Sequence, residues 1–231
     1  ARPFLWLLLV GTAYSAVARI EGVDSYQTFM YPGIIVMAMF FGAMLTAIST
    51  VYDREFGMLR LMLASPAGIL ALLAGRTIAA TAIGVLQGGV VLICMPLFVT
   101  VTAGQLLAAF IALVVGAVAS SALGLLVAAP LRSVENFAGV INMVLFPLLF
   151  LSAALYPTAG MPPPLRIMAT LNPVTYAVDL TRAALGQGSE FSTTRSLLVL
   201  GSTTLIAFTV TVLIFDPERR FIFRERAARE S

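Results

Sequence analysis

Lysine and histidine are both absent from this chain, cysteine occurs once, and charged residues make up only 11% of it. Without histidine there is no Ser–His–acid triad, no histidine proton relay and no histidine-ligated metal. The lone Cys94 closes no internal disulfide and builds no thiolate cluster. Set in an apolar run, it reads as a small buried filler. No G-x-x-x-x-G-K-[ST] phosphate loop occurs, so nothing here cradles a nucleotide. The central apolar stretches also lack Asp, Glu and Lys. Ion-coupled carriers place an ionisable group at membrane depth to switch state, so this absence argues against a proton antiporter, although a sodium site made of carbonyls escapes the test. No catalytic residue, metal or cofactor is expected on this chain.

What fills the chain instead is apolar. Hydrophobic residues reach 60% and the mean hydropathy is +0.99, against about 45–50% apolar in soluble domains. Such a chain needs lipid around it, and one crossing takes about 20 apolar residues. The uncharged runs between charges predict an all-α polytopic membrane protein, read as a single transmembrane domain over 1–231. Six transmembrane helices are expected, at about 3–18, 32–52, 73–98, 106–129, 134–155 and 196–215, with a cytoplasmic tail over 216–231. The longest uncharged run breaks at Thr100–Gln105. Because the sequence opens on Ala1, residues are expected to precede it. With the N-terminus inside, ten of the fourteen arginines fall in cytoplasmic segments, five of them in the tail, which favours both termini inside.

Small residues recur at four-residue steps, Gly84 and Gly88 in the third span and Gly116, Ser120 and Gly124 in the fourth. They read as close packing within the bundle, with a dimer seam or a substrate path as alternatives. Gln87 and Asn142 are the main amides within spans. They read as interhelical glue, with a substrate path again the alternative.

Two segments between spans carry more information. Over 53–65 a helix is expected with Asp53, Gly57, Arg60 and Ala64 on one narrow stripe and Phe, Met and Leu elsewhere. Such a helix lies in the membrane surface, and Pro66 ends it. Its bland alternative is a connector. Over 156–190, the run Pro162-Pro163-Pro164 excludes helix interior, while Asn172-Pro173 supplies an N-cap with proline at the first helical position and Gly186 suits the C-cap. A short amphipathic helix is expected there, with a further one near 165–171, together dipping back into the outer leaflet. Asp179 and Arg182, three apart, are expected to pair locally on its surface.

The stretch from Tyr52-Asp53-Arg54-Glu55-Phe56-Gly57 to Ser65-Pro66, with Arg76 beyond it, resembles the cytoplasmic segment of ABC-2-type permeases. Leu171-Asn172-Pro173-Val174-Thr175-Tyr176 to Asp179 and Arg182 resembles that family's Asn-Pro-x-Thr-Tyr element, nearest to the daunorubicin-resistance-type branch. The resemblance implies a coupling helix docked on a separate ATPase, carried by Asp53, Arg54, Glu55, Gly57, Arg60, Ser65 and Pro66. It implies an extracellular gate at Asn172, Pro173, Tyr176, Asp179 and Arg182. It also implies two permease chains, identical or homologous, with two ATPases that hold ATP and Mg, in a bacterial plasma membrane. Export of a drug-like or lipid-like amphipath follows from the same likeness. The residues alone leave a carrier, a channel or a membrane scaffold open.

Overall fold

The computed structural model describes residues 26–63, 68–97, 99–154 and 161–230. The span expected at 3–18, and Ser65 and Pro66, lie outside them. Among the described residues all regular structure is helical: α1 (Tyr26–Thr46), α2 (Ile48–Glu55), α3 (Met58–Leu63), α4 (Ile69–Cys94, drawn out by a 3-10 turn Met95–Leu97), α5 (Ala103–Ala128), α6 (Val134–Phe150), α7 (Pro163–Leu171), α8 (Pro173–Ala184) and α9 (Thr193–Glu230).

Four stretches are long and apolar enough to cross a membrane: Phe29–Glu55, Ile69–Leu97, Ala103–Ala128 and Thr193–Phe215. They overlay the second, third, fourth and sixth expected spans. The fifth differs: α6 ends at Phe150, not near 155, and its 17 residues make a rod of roughly 25 Å, less than the ~30 Å hydrocarbon core. Pro147 lies in its last turn and Ala153 just beyond has φ 56, so the chain turns away there. Residues 216–230 continue α9 as helix.

α1 is apolar all round and lies at the centre, with Ile34, Ile35, Val36, Ala38, Met39 and Phe40 all buried. The glycine steps explain how its neighbours reach it. A Cβ on Gly84 would stand 2.9 Å from the Met39 carbonyl oxygen, and one on Gly88 3.1 Å from that of Ile35, so α4 meets the α1 backbone itself. In α5, Gly124 faces the Met44 side chain and Cα, while Gly116 faces the side chains of Ala177 and Met39. The small-residue ladders are packing within the bundle. α4 and α9 present their outer faces, Ile78, Leu86, Ile93, Leu198, Leu205 and Leu213, to the surroundings. Cys94 is only half-buried.

Candidate functional site

The two motifs fall at opposite ends of the bundle. At one end, Asp53, Arg54 and Glu55 close α2. Gly57 follows with φ 75, a left-handed conformation that costs a side-chain-bearing residue ~1–2 kcal/mol. The helix expected over 53–65 is therefore two helices, α2 and α3, with the break at Phe56-Gly57. The break takes Asp53 and Arg60 onto different helices, so the helical register that would align them does not run through Gly57. Ala64 and the Arg60 side chain lie outside the described residues.

Asp53 and Arg54 are half-buried and Glu55 is exposed, yet all three bond neighbouring helices. Asp53 pairs with Arg76 of α4 at 2.5 Å, and Arg76 also donates to Thr50 Oγ1 at 3.0 Å. Arg54 donates to the carbonyl oxygens of Ala129 and, at 2.8 Å, Leu131, where α5 ends. Its guanidinium stands 4.9 Å from the Phe215 ring centroid of α9. Glu55 accepts from the Val134 amide at 2.8 Å, where α6 begins, and Ser133 caps the same terminus through the Asn136 amide. Adjacent residues thus straddle the α5–α6 turn: the cation meets a helix's carbonyl end and the anion meets a helix's amide end, each matched to the local dipole. Beneath them Leu59, Ile69, Leu73, Ala129 and Phe215 form a separate small core. Exposed at this corner are Tyr52 stacked on Phe56 (centroids 6.1 Å apart, the latter 71% exposed), together with Glu55, Met58 and Leu61.

At the other end, Asn172 caps α8 by accepting from the Val174 amide at 3.0 Å, with Pro173 at the first helical position as expected. Its amide group donates to the Leu148 carbonyl of α6 at 2.6 Å. Thr175 bonds Ala169 O, and Tyr176 OH bonds Thr170 O, folding α7 onto α8. Gly186 takes φ 73 just past the helix end, as its C-cap role requires.

The expected amphipathic surface helix is instead enclosed. Every residue from Val174 to Arg182 is buried, because α8 sits among α1, α5 and α9. Asp179 and Arg182 are accordingly not a surface pair. Asp179 accepts from the Glu190 and Phe191 amides and from Ser196 Oγ (2.7, 3.4 and 3.2 Å), tying α8 to the start of α9. Arg182 donates to the Ala153 carbonyl at 3.1 Å, and its guanidinium lies 4.1 Å from the Phe29 ring centroid of α1. Burial pushes the Asp179 carboxyl above the ordinary range, against the pull of its hydrogen bonds and of Arg182; burial likewise lowers Arg182.

The remaining candidates are not brought together. Gln87 lays its carboxamide against Gly42 of α1, while Asn142 is exposed and donates to Ala138 O of its own helix. Among the described residues neither bonds a neighbouring helix. Sequence reasoning passed over Gln105, which forms a capping box with Thr102 and donates to Leu185 O at the end of α8. The Thr-x-x-Gln spacing signals the cap but not the second bond. Ser196 and Arg195, which lies 4.8 Å from the Phe191 ring centroid, were equally silent.

Comparison with known proteins adds the following. The sequence model of the family described as ABC-2 type transporter matches residues 1–186. A provisionally named transport permease, ycf38, of Cyanophora paradoxa is 29% identical over 235 residues, covering 97% of this chain and 79% of that protein. Proteins of the same name from Pyropia yezoensis and Porphyra purpurea are 32% and 31% identical, over 78% and 77% of this chain. The matches cover 64% and 63% of their own lengths, so this chain spans less than two thirds of either.

Proposed function

Because the chain belongs to the ABC-2 type transporter family, a family of membrane transport permeases, we propose that it is the permease subunit of an ATP-driven exporter. A separate ATPase subunit, binding ATP and Mg, supplies the energy, and two permease chains and two ATPases complete the assembly. The observation that carries this reading is the interlock at Asp53, Arg54 and Glu55. Three consecutive charges join the end of α2 to α4, to the α5 terminus and to the α6 terminus. A push on the α2–α3 corner therefore reaches four helices at once. The exposed Tyr52–Phe56 stack and Gly57 stand at that corner.

On this reading the Asp53 end faces the cytoplasm, both termini lie inside a bacterial plasma membrane, and the arginine distribution supports that orientation. The α7–α8 hairpin closes the outer end as a gate. The cargo is an amphipathic, drug-like or lipid-like molecule, in keeping with apolar helices bearing scattered Ser and Thr.

The test is co-expression with candidate phosphate-loop ATPase subunits, followed by reconstitution in liposomes. The ATPase is expected to co-purify, and ATP-dependent efflux is expected to fall at least tenfold when Asp53 and Glu55 are both replaced by Ala. An ATPase that never co-purifies, with transport intact in the variant, would overturn the coupling at this corner; transport that survives without ATP and collapses with an ion gradient would establish the carrier reading instead.

A further inference from the structure

α6 is held differently from the central helices of the bundle. α1 over 30–44 and α5 over 109–128 bury side chains on turn after turn, so ridge-into-groove packing fixes them in place. Of the described side chains of α6, only Phe137, Leu145 and Leu149 are buried. Its middle is open: Met143 is 80% exposed, and Asn142 bonds its own helix.

The polar grip on α6 comes at its two ends, and each grip comes from one of the motifs. Glu55 accepts from the Val134 amide at the start. At the finish Asn172 donates to Leu148 O, Thr175 reaches Leu151 O at 3.5 Å and Arg182 donates to Ala153 O. All these bonds go to backbone atoms, so they follow the axial position of the helix itself and do not depend on one side-chain rotamer. A helix transmits a push along its axis because shortening it breaks its hydrogen bonds, and the one rung that Pro147 omits lies in the last turn, beside the Asn172 grip.

We infer that α6 is an end-gripped strut, and that Glu55, Asn172 and Arg182 are positioning residues which make the Asp53 corner and the α7–α8 hairpin move together through it. A shift of α2 displaces the α6 start through Glu55. The α6 finish then carries α8 with it, and α8 draws the start of α9 through Asp179. This goes beyond the exporter reading and stands whether or not an ATPase supplies the movement.

Backbone hydrogen–deuterium exchange on the full chain in lipid nanodiscs tests the coupling without any partner, since exchange reads local opening. Energetic coupling between two ends is reciprocal, and its ordinary size corresponds to about fivefold or more. Glu55→Ala is expected to speed exchange over 147–151, far from the substitution, by that factor, and Asn172→Ala to speed exchange over 134–138. Ser133→Ala, which weakens the α6 start without touching the charged cluster, is expected to act like Glu55→Ala and serves if that variant folds poorly. Asp53→Asn loosens the bond to α4 but not the grip on α6, and should leave 147–151 unchanged. Effects confined to the substituted end, or an equal far-end effect from Asp53→Asn, would overturn the strut.

Discussion

At Arg54 one guanidinium meets three partners at once. Its Nη1 donates to two carbonyl oxygens at the end of α5, while its Cζ stands 4.9 Å from the Phe215 ring centroid. Arg54→Lys keeps the charge but loses the broad, planar group that reaches all three. A loss of about 1–3 kcal/mol is expected, the cost of leaving a buried acceptor unmet, read as a lower melting temperature in detergent. Asp179 offers a pH test at the same scale. Its folded-state pKa is raised by burial, so between the ordinary carboxylate value and the raised one the folded chain binds more protons than the unfolded chain. Stability therefore falls as pH rises through that window. Asp179→Asn retains a carbonyl acceptor for the Glu190 and Phe191 amides and does not ionise. The melting temperature of Asp179→Asn minus that of the parent is expected to grow with pH across the window. A difference flat in pH would mean the carboxyl titrates normally.

Among the elements, the α2–α3 break and the α8 helix show how far local signals reach. Asn172-Pro173 and Gly186 mark both ends of α8 because caps are local chemistry, satisfied by atoms one to three residues away. Thr102 and Gln105 announce the start of α5 for the same reason. The period-3.6 reading of 53–65 failed where glycine adopted a conformation that ends a helix, and nothing in apolar spacing reports φ. A Cβ on Gly57 would meet no atom within 4 Å, so Gly57→Ala carries only a conformational cost, expected at ~1–2 kcal/mol. Gly57→Asn should cost less, since Asn visits that region more readily. Urea or thermal unfolding of the two variants side by side checks the ranking. If both are neutral, the corner does not require a left-handed residue.

For the molecule as a whole, the tight point is where α1 passes the turn after α6. A Cβ on Gly33 would run into the Ala154 carbonyl, a backbone group without room to yield. Gly33→Ala is expected to destabilise by about 1–3 kcal/mol through overpacking, seen as a lower melting temperature with the helix content of the folded state unchanged. By itself the sequence determined that this is a helical membrane protein, where four stretches long and apolar enough to cross lie, and where α8 is capped. Hydropathy and capping are properties of contiguous residues, so a single strand of sequence carries them in full. Only the tertiary structure decided which way the charged motif points, that α8 is enclosed, and that α6 is gripped at its ends. The partners of Arg54 and Glu55 are backbone carbonyls and an amide 75 to 79 positions away. Every residue except proline presents both groups, so no residue type betrays them. Folding alone brings them within reach.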